Sequence, residues 1–149
     1  MTKSKQNLIK YWLPVAAWMV FIFWMSTETF ASEQTSRFID PVLYYLFPWL
    51  SFQDVDFIHR LIRKSGHMVE YFVLGLLLFR AFRADSLQKW RLQWALYVIL
   101  WVVIFALSDE FHQSFLASRT SSLVDVGIDS AGGILSQITV ILRTASDFS

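Results

Sequence analysis

Apolar residues in this chain gather into four long blocks, with polar residues concentrated in the intervals between them. Tyr11 to Thr27 is free of charged side chains and is about the length that a bilayer core requires. A second block covers Gly66–Phe82, a third Leu92–Ser108 and a fourth Ser121–Leu142. Each predicts a membrane-spanning helix, at about 11–27, 66–82, 92–108 and 121–142. In lipid, helices satisfy all their backbone polar groups internally. The expected fold is an all-α membrane protein, a bundle of four transmembrane helices in a single domain over residues 1–149. Lys3, Lys5 and Lys10 before the first block, with Thr29-Phe30-Ala31 after it, also fit a signal peptide. The length of the block and its tryptophans favour a span.

The interval between the first two blocks is the longest. Glu28 to Arg37 is polar and suits a loop or a helix cap. Phe38 to Phe52 is apolar and aromatic but broken by Pro41 and Pro48, too interrupted for a span. It predicts an interfacial or re-entrant segment on the outer face. Asp54 to Lys64 predicts an amphipathic helix running on into the second span, with Phe57, Ile58, Leu61 and Ile62 on its apolar side and Arg60, Arg63 and Lys64 opposite. Lys3, Lys5, Lys10, Arg80, Arg83, Lys89, Arg91 and Arg143 fall on one side of the bundle, and Arg37, Arg60, Arg63, Lys64 and Arg119 on the other. The larger basic share predicts the cytoplasmic side, which places both termini inside.

Composition agrees with a membrane setting. Hydrophobic residues make up 55% of the chain, with seven tryptophans and fourteen phenylalanines, as aromatic belts require. A net charge of +1 and no lysine-rich run give no footprint for nucleic acid. The absence of cysteine excludes thiol chemistry and zinc–thiolate sites.

Against this apolar background stands Ser108–Gly133, SDEFHQSFLASRTSSLVDVGIDSAGG, with four acidic residues, a histidine and an arginine. Ionisable groups are expensive in hydrocarbon and mark functional positions by default. At about 1.5 Å per residue, His67 and Glu70 lie roughly one and two turns below Lys64. Asp125 and Asp129 lie at matching depths below Ser121. His67, Glu70 and Tyr71 share a helical face, as do Asp109, His112 and Gln113. Gly132, Gly133 and Ser136 permit close helix approach, while Ser26 and Glu28 close the outer end of the first span. These residues support several chemistries. A hydrogen-bonded network locking four helices together needs nothing further. A catalytic site would use His67 or His112 as general base, with Glu70, Asp109 or Glu110 orienting it. Arg119 with Arg63 or Lys64 would hold a phosphate or pyrophosphate, or Arg119 would pair with Asp109, Glu110 or Asp125. His67, His112 and Asp125 are the weaker candidates for a metal. No cofactor is indicated.

HMVEYFVLGLL at His67–Leu77 and the Ser108–Gly133 stretch resemble the two signature stretches of VanZ-like membrane proteins, and Ser26 in FWMS matches that family's weaker first motif. Ser118 stands where the family often has glycine, and Asp129 where it often has asparagine. The resemblance implies a multi-pass protein of the bacterial cytoplasmic membrane, linked with reduced susceptibility to lipid-tailed glycopeptides such as teicoplanin. It implies no settled chemistry. The first expectation is a protein that binds or occludes an outer-leaflet lipid-linked wall precursor or the lipoglycopeptide itself, using Ser26, Arg63, Lys64, His67, Glu70, Tyr71, Asp109, Glu110, His112, Gln113, Arg119, Asp125 and Asp129. The alternatives are a membrane enzyme acting on a phosphorylated lipid and a transporter or flippase component. The chain carries no nucleophilic-serine motif, no phosphate-cradling glycine loop and no hydrolase signature, which weighs against the enzyme. The expected partners are membrane lipids, with oligomerisation open.

Overall fold

The computed structural model describes residues 6–27, 32–116 and 122–146, and all regular structure among them is helical. A π-helical turn, Leu8–Trp12, leads directly into α1, Leu13–Met25. Pro14, which has no N–H to give, falls at this change of hydrogen-bond pattern. The remaining helices are α2, Ser32–Leu46, α3, Phe52–Arg83, α4, Leu92–Gln113, and α5, Leu123–Ser146. Among the described residues, four helices are long and apolar enough to cross a membrane: Leu8–Met25, α3, α4 and α5. This is the four-span, all-α architecture expected from the four apolar blocks, with span ends displaced by a few residues except at the start of α3, which lies 14 residues earlier than the expected span.

The α3 helix begins well before the second apolar block. Ser51 and Asp54 form a reciprocal cap there: Asp54 N–H donates to the Ser51 hydroxyl, and Ser51 N–H donates to the Asp54 carboxylate at 3.0 Å. One unbroken helix then carries the Asp54–Lys64 stretch into the span, as the sequence predicts. The facing of that stretch is different from expectation. Phe57, Leu61 and Ile62 are exposed, whereas Val55 and His59 are buried. The segment Phe38–Phe52 is not a span, as expected, but the helix in it, α2, starts earlier, at Ser32, and continues through Pro41. Pro41 removes one backbone hydrogen bond, to the carbonyl of Arg37, which lies on the exposed side of the helix.

Contact between α3 and α5 is the most extensive in the bundle. It depends on small residues. A Cβ on Gly132 would lie 2.3 Å from the Met68 carbonyl oxygen, and one on Gly75 would lie 2.1 Å from the Ser136 hydroxyl. Gly133 fits in the same way against Val102 of α4. Val98, Val102 and Ala106 bring α4 into the core beside Leu74 and Leu78 of α3. On the outside, α1 is joined to α3 by the Trp18 indole, which donates to the Glu70 carbonyl oxygen at 2.9 Å.

The opposite end of α1 is held by Asp85, in the loop after α3. The Tyr11 hydroxyl donates to Asp85 at 2.5 Å and the Lys10 ammonium at 3.3 Å. The Tyr11 hydrogen bond first, and the Lys10 ammonium after it, hold the Asp85 carboxyl below the usual carboxylate range. A depressed folded pKa stabilises the protein above the unfolded value of about 4, and that contribution disappears as pH falls through the folded value. Thermal melting in detergent between about pH 5 and about pH 3 should decline less steeply for Asp85→Asn than for the wild type. Parallel declines would show that the clamp adds nothing.

Candidate functional site at one end of the bundle

Four helix segments bring polar groups to the same end of the bundle: the end of α1, the first half of α3, the end of α4 and the start of α5. The outermost contact joins α3 to α5, with Lys64 Nζ 2.6 Å from Asp125 Oδ1. One turn deeper, His67 Nδ1 lies 3.9 Å from both Glu70 Oε2 and Asp129 Oδ1. Side-chain exposure falls from 41% at Lys64 to 23% at His67 and 2% at Asp129. The polar cluster is therefore graded like a recess in its accessibility, exposed at Lys64 and Asp125 and closed off at Asp129. Tyr71 lies wholly buried at its base, within the electrostatic field of Asp109, Asp129, Glu70 and Glu110.

The α4 side of the recess is fully buried. Asp109 Oδ2 accepts from the Ser26 hydroxyl at 2.7 Å and from the Gln113 amide at 3.0 Å. This ties α1 to α4 and explains why a serine ends the first span. Glu110 Oε2 accepts from the Ser122 N–H at 2.7 Å, immediately before α5. A carboxylate there satisfies one of the donors left open at a helix start and complements the positive end of the helix dipole.

The described members of the predicted set thus meet across four helices, with His112 turned aside. Its ring stacks on Phe23 of α1, with centroids 4.3 Å apart. Its buried Nε2 has no hydrogen-bond partner among the described residues. Arg63 is half-buried one turn before His67. Arg119, Ser118 and Glu28 lie outside the described residues. Among the described residues, no three His, Asp or Glu side chains are placed to hold a metal ion, and the candidates His67, His112 and Asp125 form no such set.

Two buried groups escaped the sequence reading. His59 is 4% exposed, with Nε2 2.9 Å from the Thr35 hydroxyl and Nδ1 4.0 Å from Asp40 Oδ1, and it fastens α2 to α3. Its signal was the four-residue spacing His59, Arg63, His67, which continues the polar line of α3 outward. Gln137, one residue after Ser136, donates to the Gly75 carbonyl at 3.3 Å and to the Ser136 hydroxyl at 2.8 Å. It gave no signal beyond its polarity in an apolar block.

Fold and recess together define a multi-pass helical membrane protein with a buried, carboxylate-rich site at one end. A family model described as VanZ/LLP1 matches residues 11–143, and the chain belongs to that family. No curated protein and no solved structure matches the chain.

Proposed function

We propose that this VanZ/LLP1 protein lies in the bacterial cytoplasmic membrane with both termini inside. Its recess opens on the outer leaflet and binds or occludes a lipid-linked wall precursor or an acylated glycopeptide, lowering susceptibility to teicoplanin-type antibiotics. The observation that supports this reading is the graded recess itself. Its buried ionisable groups exceed what is needed to hold four helices together, and such groups inside a membrane bundle are retained for function by default. Family membership supplies the link to glycopeptides. The orientation follows from the basic residues clustered at the end opposite the recess, among them Lys10, Arg80, Arg83, Lys89 and Arg91. In intact cells, Gln53→Cys should react with an impermeant maleimide and Leu87→Cys should not. Labelling of Leu87→Cys alone would invert the orientation.

The functional test uses resistance and melting temperature on the same variants. His67→Ala should abolish resistance with little change in melting temperature in detergent. Arg119→Lys should also lose resistance, because a guanidinium fork is replaced by a point charge. Asp125→Asn should melt almost normally, since its partner Lys64 is exposed enough for the ion pair to contribute little. Losses of resistance and stability that track each other across the three variants would leave a structural network and no binding site. The position of His67 between two carboxylates also favours a second reading, a general base acting on the same lipid. Turnover of a supplied precursor by wild type and not by His67→Ala would select it.

A further inference from the structure

The recess carries five carboxyl groups, Glu70, Asp109, Glu110, Asp125 and Asp129, while its described rim contributes two permanent cations, Arg63 and Lys64. A low-dielectric cleft with that balance concentrates positive charge. It already holds one ammonium group, since Lys64 Nζ sits on Asp125. A turn deeper, Asp129 is 1% exposed and its Oδ1 has no hydrogen-bond donor among the described residues. His67 Nδ1, at 3.9 Å, is beyond hydrogen-bond reach. An independent observation points to the same place. Tyr71 is 0% exposed, its hydroxyl has no partner among the described residues, and it lies in the field of Asp109 and Asp129. Buried polar atoms find partners, and both of these orphaned atoms would be satisfied by a donor-bearing group at this depth. No three acidic or histidine side chains among the described residues are close enough to hold a metal ion.

We infer that the recess between Tyr71 and Asp129 receives the primary ammonium group of an acylated amphiphile, whose headgroup enters between α3 and α5 past Lys64 and Asp125. This rests on the binding function proposed above and names the chemistry of its contact. The ammonium replaces nothing. It extends inward the recognition that Lys64 and Asp125 already display, and it supplies the donor that Asp129 lacks. Two sources carry this group at the outer leaflet: an amine-bearing phospholipid, or the free amine of an acylated glycopeptide.

Acetylating the amine removes the charge and leaves the remainder of the probe unchanged, so the first comparison requires no variant. Full-length protein in phosphatidylglycerol nanodiscs would be offered phosphatidylethanolamine or its N-acetyl derivative, and retention read by native mass spectrometry. A parallel arm offers teicoplanin or N-acetyl teicoplanin. Wild type should retain at least one free-amine probe about tenfold better than its acetylated form, the factor expected from one hydrogen-bonded charge. The arm that shows the preference identifies the source. Asp129→Asn and Tyr71→Phe should reduce the preference to within about twofold. Equal retention of both forms in both arms would overturn the inference, as would an undiminished preference in both variants. The binding function fails separately, through resistance that is insensitive to His67→Ala.

Discussion

Gly132→Ala should lower the melting temperature of the purified protein sharply, while Gly127→Ala should leave it unchanged or raise it slightly. Both glycines lie in α5, and both would gain the better helix propensity of alanine. They differ in what the new methyl group meets. At Gly127 there is nothing within 4 Å. At Gly132 the methyl would lie 2.3 Å from the Met68 carbonyl oxygen and 3.1 Å from the Phe72 nitrogen. These are backbone atoms of α3 and cannot rotate away as a side chain would. The helices must separate, and the close fit of Gly75 with Ser136 and of Gly133 with Val102 would loosen with them. Overpacking of a dense interior costs about 1–3 kcal/mol, and a rigid backbone obstacle places Gly132→Ala at the upper end. Circular dichroism melts in one detergent would decide the matter. Equal melting of the two variants would mean that α3 and α5 are not packed as closely as described.

Asp109→Ala should be the second severe change. It removes the acceptor shared by Ser26 and Gln113 and leaves two buried donors without that partner. Hydrogen bonds to an ionised group are worth about 1.5–3 kcal/mol each, so a loss of about 3 kcal/mol or more is expected. Asp109→Asn retains the shape and one carbonyl acceptor, and should cost less. Ser26 and Asp109 lie on different helices, so their coupling also tests how α1 is held. In a double-mutant cycle, Ser26→Ala should add little once Asp109→Ala is present. Strictly additive losses would show that the Ser26 contact to Asp109 contributes nothing.

The spans were legible because charge is scarce across about twenty residues at a time, a signal that tertiary context rarely overrides. Constant helical rise made the depth of the polar groups legible to within a turn: it put His67 level with Asp125, whereas Asp125 meets Lys64 and His67 lies beside Asp129. The facing of Phe57, Leu61 and Ile62 was not. An amphipathic pattern shows which side of a helix is apolar and leaves open where the apolar surroundings lie. In water the apolar side turns to the core. In a bilayer protein the lipid is as apolar as the core, so the apolar side can face outward while His59 is buried, Arg63 and Lys64 are half-buried, and Arg60 stays exposed. The helix through Pro41 was missed for a related reason. A lost hydrogen bond breaks a helix only where the freed carbonyl has no other partner, and Arg37 stands on an exposed face. His112 shared a face with Asp109 in sequence, yet the ring of Phe23 draws it toward α1, a contact between residues 89 positions apart.

The 32 residues of α3 span about 48 Å at helical rise, against a hydrocarbon core of about 30 Å. The helix is pinned where Met68 and Gly75 meet α5, and its first turns extend beyond that pivot to carry α2. A stiff rod that is packed along its middle and longer than the slab it crosses leaves its ends free to project or tilt. Bilayers of different thickness are accommodated by tilting such a rod, and tilt about the pivot moves Lys64 relative to Asp125. Access to the recess is therefore expected to respond to the acyl-chain length of the surrounding lipids, so that a change of membrane composition would act on this site without any change in the protein.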